Sequence, residues 1–113
     1  MNITTSELRG LQLDYAVALI EGHDYWRVTE KGRVWTDDAF TPSTDWAQGG
    51  PIIERECIEV GRQGGEWIAC IDVPENGDWE AAGQYGPTLL IAAMRCFVQS
   101  KLGDEVEIPE VLL

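Results

Sequence analysis

PTLLIAAMRCFVQSKLG, residues 87 to 103, is the stretch on which the fold turns. Pro87 sits where a helix tolerates it best, the first-turn position, because the N–H it lacks would have no partner there. Leu90, Ile91, Met94, Phe97, Val98 and Leu102 follow at helical spacing and form a wide apolar face. Thr88, Ala92, Arg95 and Gln99 lie opposite, and Gly103 closes the run. A helix with so few charges must be mostly buried, which predicts that this segment is the core element.

A second helix is predicted near the start of the chain. Leu8, Leu11, Tyr15 and Leu19 repeat at helical spacing, and Ala16 and Ile20 widen the stripe. Thr4 and Glu7 fit a capping box, while Gly10 weakens the first turn and favours a start near Leu11. Gly22 is a natural C-cap. From Tyr25 the pattern changes to YWRVT, a turn at Glu30-Lys31-Gly32, and RVW, the composition of a hairpin. A second hairpin is predicted from Cys57–Val60, a GRQGG turn and Glu66–Val73. Residues 74 to 86 read as loop, and the acidic tail DEVEIPEVLL reads as a short strand or a segment docking on a second subunit. The expected fold class is α+β: a small antiparallel sheet packed against an N-terminal and a C-terminal helix.

STDWAQGGPIIERE, residues 43 to 56, lies between the hairpins and holds the candidate site. Ser43 or Thr44 can cap a short helical turn through Asp45, Trp46, Ala47 and Gln48. Gly49 and Gly50 supply a left-handed exit or a close backbone approach, and Pro51 forces an extended restart. Ile52 and Ile53 read as buried-strand residues, with Glu54, Arg55 and Glu56 alternating across two faces. A sharp turn between strands accounts for the glycines and the proline. It accounts less well for Asp45, Trp46, Gln48 and Arg55. An aromatic face, an amide, a carboxylate and a guanidinium beside bare backbone amides suit a planar polar ligand. The candidate ligand-binding set is therefore Ser43, Thr44, Asp45, Trp46, Gln48, Gly49, Gly50 and Arg55.

The 113 residues suit one domain, and 44 % apolar content is enough for a core. A formal charge of −12 disfavours nucleic-acid backbones and anionic membranes as partners. No segment approaches the roughly 20 apolar residues of a membrane span, and MNITTSELRG lacks the pattern of a signal peptide. Cys57, Cys70 and Cys96 are widely spaced and contain no CxxC, which suggests buried, reduced thiols and no zinc site. His23 is the only histidine, Asp37 and Asp38 point apart in a strand, and no nucleophile–base arrangement can be assembled. No phosphate-loop or dinucleotide fingerprint occurs, so neither a cofactor, a metal nor an enzymatic activity is expected. Of the five tryptophans, Trp67 fits a core position, whereas Trp46 and Trp79 fall in polar, Gly-rich segments.

STDWAQGGPIIERE, joined to YGPTLLIAAMRCFVQSKLGDEVEIPE (85 to 110), resembles the phage NinX-like family of small bacteriophage and prophage proteins. TSELRGLQLDYAVALIEG is similar to that family's N-terminal helix. Leu89 departs from the family pattern, which often carries a further Pro after GPT. The resemblance implies a single domain over 1–113 and a phage accessory protein acting in the host cytoplasm; the family supplies no activity. The general layout also resembles small phage proteins that sequester host signalling nucleotides. Two functions are thus expected. One is non-catalytic binding of a small nucleotide-like ligand, with a homo-oligomer deepening the pocket. The alternative is an acidic protein-interaction module, or DNA mimic, that engages a host or phage protein through residues 104 to 110.

Overall fold

The computed structural model describes residues 1–22, 39–71, 75–76 and 83–113, and the backbone of 27–28 and 34–35. Strand β1 (Asn2–Thr4) leads through a 3-10 turn (Thr5–Glu7) into α1 (Leu11–Ile20). Three short strands follow, β2 (Arg27–Val28), β3 (Val34–Trp35) and β4 (Ala39–Phe40), then α2 (Trp46–Arg55). Next come β5 (Glu59–Gln63), β6 (Glu66–Cys70) and β7 (Gln84–Gly86). Helix α3 (Leu89–Leu102), β8 (Glu105–Glu107) and a 3-10 turn (Glu110–Leu112) end the chain. Among the described residues the strands form three antiparallel sheets, β1-β8, β2-β3-β4 and β5-β6-β7, and the fold is α+β as expected.

Helix α3 is the centre. Leu90, Met94, Phe97 and Val98 are buried on its predicted apolar face. Ala92, Ala93 and Cys96 are buried too, because α1 covers one side of the helix and β6–β7 the other. Full burial of a side chain such as Phe97 contributes about 1.5–3 kcal/mol. On the sheet side the helix comes close: a Cβ on Gly86 would lie 2.6 Å from the Ala92 backbone nitrogen. The helix begins later than the proline suggests. Thr88 is its N-cap, its Oγ1 accepting from the Ile91 N–H at 3.1 Å, so Pro87 lies just outside.

The capping box at Thr4 and Glu7 does not form. Thr4 is a strand residue paired with Glu105, and it makes no side-chain cap. Its neighbour Thr5 is buried, and its hydroxyl donates to Gly103 O at 2.6 Å. Helix α1 accordingly starts at Leu11, after Gly10. Leu13, Tyr15, Ala16 and Val17 are buried, whereas Leu19 is exposed. The acidic tail packs on its own chain as β8: Ile3 faces Val106, and Ile108 and Leu112 enter the core.

The strand pairings of both predicted hairpins exist, the turn at Glu30-Lys31-Gly32 lying outside the described residues. Arg27–Val28 pairs with Val34–Trp35, and β4 adds a third strand that the sequence does not announce. In the second hairpin the turn is tighter than GRQGG suggests. Gly61, Arg62 and Gln63 stay in the ladder, and only Gly64-Gly65 turn, both at positive φ (59° and 87°). Two successive positive φ values define the hairpin turn that matches strand twist, and glycine reaches them without strain. Gln84–Gly86 completes that sheet rather than forming a loop. Trp67 is half-buried, with the Arg62 guanidinium 5.0 Å from its ring centre.

Candidate functional site

The segment from Ser43 to Glu56 folds differently from its sequence reading. Ten residues, Trp46–Arg55, form α2 with Pro51 inside it. There is no left-handed exit at Gly49-Gly50, and Ile52 and Ile53 are helical rather than extended. Ile52 is buried and Ile53 packs against the core, so their apolar character is satisfied from a helix. Pro51 has no N–H to give to the Ala47 carbonyl. Both residues are exposed, so that carbonyl stays in contact with water.

The helix starts at Asp45, not at Ser43 or Thr44. Asp45 Oδ1 accepts from the Ala47 N–H at 2.9 Å. Replacing Asp45 with Ala is expected to cost about 1 kcal/mol, read as a lower urea midpoint with an unchanged slope. Gln48 ties the helix to β4: its Oε1 accepts from Thr41 N and its Nε2 donates to Ala39 O, both at 2.6 Å. Gly49 is buried, and a Cβ there would sit 2.5 Å from Pro42 O and 2.6 Å from Leu90 Cδ2. Its bare backbone therefore admits α3, not an anion. Arg55 lies at the opposite end of α2 from Trp46, about 13 Å along the axis. It bridges Glu21 (2.7 Å) and Glu56 (2.9 Å), and Lys101 reaches Glu56 at 3.3 Å. Arg55 thus fastens α2 to the end of α1.

What gathers around Trp46 is the start of α3. Ser43, Thr44, Trp46, Thr88, Leu89, Leu90 and Ile91 line a cleft of about 240 Å³. The Trp46 side is largely open, the residue being 56 % exposed. The floor is aliphatic and the rim carries hydroxyls. Two helices begin here, so N–H groups without helical partners lie nearby. Of the eight candidate residues the cleft includes three, Ser43, Thr44 and Trp46; Asp45, Gln48, Gly49, Gly50 and Arg55 do not line it. The α3 residues were missed because Thr88 reads as part of the helix's polar side and Leu90 and Ile91 as core; Thr88 is instead the N-cap, whereas Leu90 is buried and Ile91 packs against the core.

Ser43 connects the cleft to the interior. It is 2 % exposed, and its N–H donates to Asp14 Oδ1 at 2.9 Å. Its Oγ is buried with no hydrogen bond of good geometry, although the hydroxyl lies near enough to pull on the Asp14 carboxyl. Burial drives Asp14 the other way and dominates, raising its pKa from 3.8 to about 6; the two Ser43 interactions lower it in part. Among the thiols, Cys70 and Cys96 are buried and in no disulfide, and burial pushes Cys96 up to about 12, which makes it a poor nucleophile. Cys57 is free but exposed, contrary to expectation, at a positive φ of 54° after α2. His23, Asp37, Asp38 and Trp79 fall outside the described residues.

Among known families, the sequence model described as Bacteriophage P22, NinX matches residues 4–101. No curated protein matches the chain.

Proposed function

Because the chain belongs to the bacteriophage P22 NinX family, we propose that it is a phage accessory protein without catalytic activity that binds a small nucleotide-like ligand between the starts of α2 and α3. The observation that carries this reading is Trp46, whose large exposed ring borders a cleft that also holds a buried hydroxyl without a partner. An indole face takes any base by stacking, and the exposed Thr44 and Thr88 offer polar contacts to its edge. The volume of about 240 Å³ is slightly below the roughly 300 Å³ where typical ligand pockets begin. It suits one base or nucleoside head better than a dinucleotide. A second copy of the chain laid across the cleft would cover Trp46 and deepen the pocket, and such a homo-oligomer belongs to this reading.

No helix among the described residues is long and apolar enough to cross a membrane. We place its action in the host cytoplasm, where signalling nucleotides are found. The test is thermal stability with a panel of cyclic and linear nucleotides. A bound member should raise the melting temperature, and Trp46→Ala should weaken binding about 10-fold or more, as loss of one stacked base implies. No shift with any member would end the reading.

The alternative, an acidic module or DNA mimic inhibiting a host or phage protein, has one observation in its favour. Asp104, Glu105, Glu107 and Glu110 are all exposed along the closing strand and turn. Deleting this tail would unseat Val106, Ile108 and Leu112 from the core, so charge neutralisation is the proper variant. Glu105→Gln with Glu110→Gln should release a captured partner at low salt, whereas capture insensitive to both salt and these changes excludes the acidic surface.

A further inference from the structure

A second concavity, away from Trp46, carries the opposite electrostatic character. It is an open groove of about 650 Å³ between the N-terminal segment and α3, and its lining includes Asn2, Thr4, Glu7, Arg9, Gln12 and Arg95. The whole chain has only eight Lys and Arg against twenty Asp and Glu, yet two arginines face this one groove. Among the described residues neither Arg9 nor Arg95 has a carboxylate within ion-pair distance. Glu7 is the one acid of the lining, and the Met1 ammonium beside it is already paired with Glu107 at 2.6 Å. The lining therefore carries more positive than negative charge in a strongly anionic protein, with Glu66 a further carboxylate acting on Arg95.

Arg95 is held in place. Its Nε donates to Leu8 O and its Nη1 to Tyr85 O, each at 2.8 Å. Those acceptors are neutral, so they fix the guanidinium plane without compensating its charge. Three of its five N–H groups remain beyond these two bonds. Burial lowers the Arg95 pKa; the field of Glu66 opposes that and the field of Arg9 adds to it. A half-buried guanidinium beside a second one is costly unless an anion joins them. Arg9, by contrast, is exposed and makes no side-chain hydrogen bond among the described residues.

We propose that this groove is a second binding site, in which Arg9 and Arg95 grip the phosphate or diphosphate of a small molecule. A fixed guanidinium and a swinging one can each meet two oxygens of the same oxyanion, a geometry that lysine cannot reproduce. Asn2, Thr4 and Gln12 supply neutral donors at the margin, the Gln12 amide being partly engaged with Leu112 O at 3.2 Å. The site uses none of the residues around Trp46, and the two readings stand or fall separately.

The test uses the full chain and inorganic pyrophosphate, titrated at constant ionic strength and followed by amide chemical shifts. Saturable shifts at residues 2 to 12 are expected, unchanged in Trp46→Ala. Arg9→Ala should weaken binding 10-fold or more with an unaltered circular dichroism spectrum, and Arg9→Lys should restore only part of it. A nucleoside 5′-monophosphate should shift the same amides, and its parent nucleoside should not. No saturable response to pyrophosphate, or equal affinity in Arg9→Ala, overturns the proposal.

Discussion

Asp14→Asn is expected to stabilise the protein by about 2–3 kcal/mol at pH 8 and to leave it unchanged near pH 4. Asp14 is 4 % exposed, and its pKa in the fold rises from 3.8 to about 6. Because the folded carboxyl keeps its proton to higher pH than the unfolded one, the stability it contributes is fully present below pH about 3.8. That contribution is lost as pH rises through about 6. The gap corresponds to about 3 kcal/mol. Asparagine copies the neutral acid without its titration. Its amide oxygen can still accept from the Ser43 N–H, and its NH₂ can donate to the partnerless Ser43 Oγ. Urea unfolding of both proteins at pH 4 and pH 8 isolates this group, since every other carboxylate cancels in the difference. A variant less stable than wild type at pH 8 would show that Asp14 is needed as a charge. Since Ser43 also lines the Trp46 cleft, the same variant tests whether ligand affinity follows the state of Asp14.

Gly49→Ala is expected to be the most damaging single-methyl change in α2. The new Cβ would meet Pro42 O at 2.5 Å and Leu90 Cδ2 at 2.6 Å. Leucine's tip can move, but the carbonyl is backbone, so α2 itself must shift. Such overpacking costs about 1–3 kcal/mol, and the upper end applies against backbone. The better helix propensity of alanine offsets about 1 kcal/mol of it. A net loss near 2 kcal/mol lowers the melting temperature by about 10 °C in a chain of this size. The neighbouring change is a control. A Cβ on Gly50 meets only Trp46 Cε3 at 3.8 Å, an ordinary contact. There the gain in propensity is opposed by crowding against the Pro51 ring, so Gly50→Ala should stay within about 0.5 kcal/mol of wild type. Equal melting temperatures for the two variants would mean that α2 and α3 are not in close contact at Leu90.

These two glycines also show where the reading of GGP as a breaker fails. Local propensity counts Gly-Gly-Pro as an end to helix, and in isolation it would be. Here Gly49 is small because α3 passes over it, and Gly50 lacks the Cβ that the following proline would crowd. The Gln48 staples to Thr41 and Ala39 and the burial of Ile52 then hold the turns together. The same packing decides the site. It sends Arg55 to the far end of α2, toward Glu21, and brings Thr88 to Ile91 beside Trp46 in its place.

The sequence by itself determined α1 and α3, the two hairpins and the α+β class. Each of these is written in neighbouring residues: apolar side chains every three or four positions, alternation, and glycines at turns. The tertiary structure alone decided that Asn2–Thr4 pairs with Glu105–Glu107, that α2 runs through its proline, and which residues share a cleft. Those outcomes depend on partners tens to a hundred positions away. Local periodicity carries no information about which distant surface will cover a face, and burial energy is won only when that surface arrives.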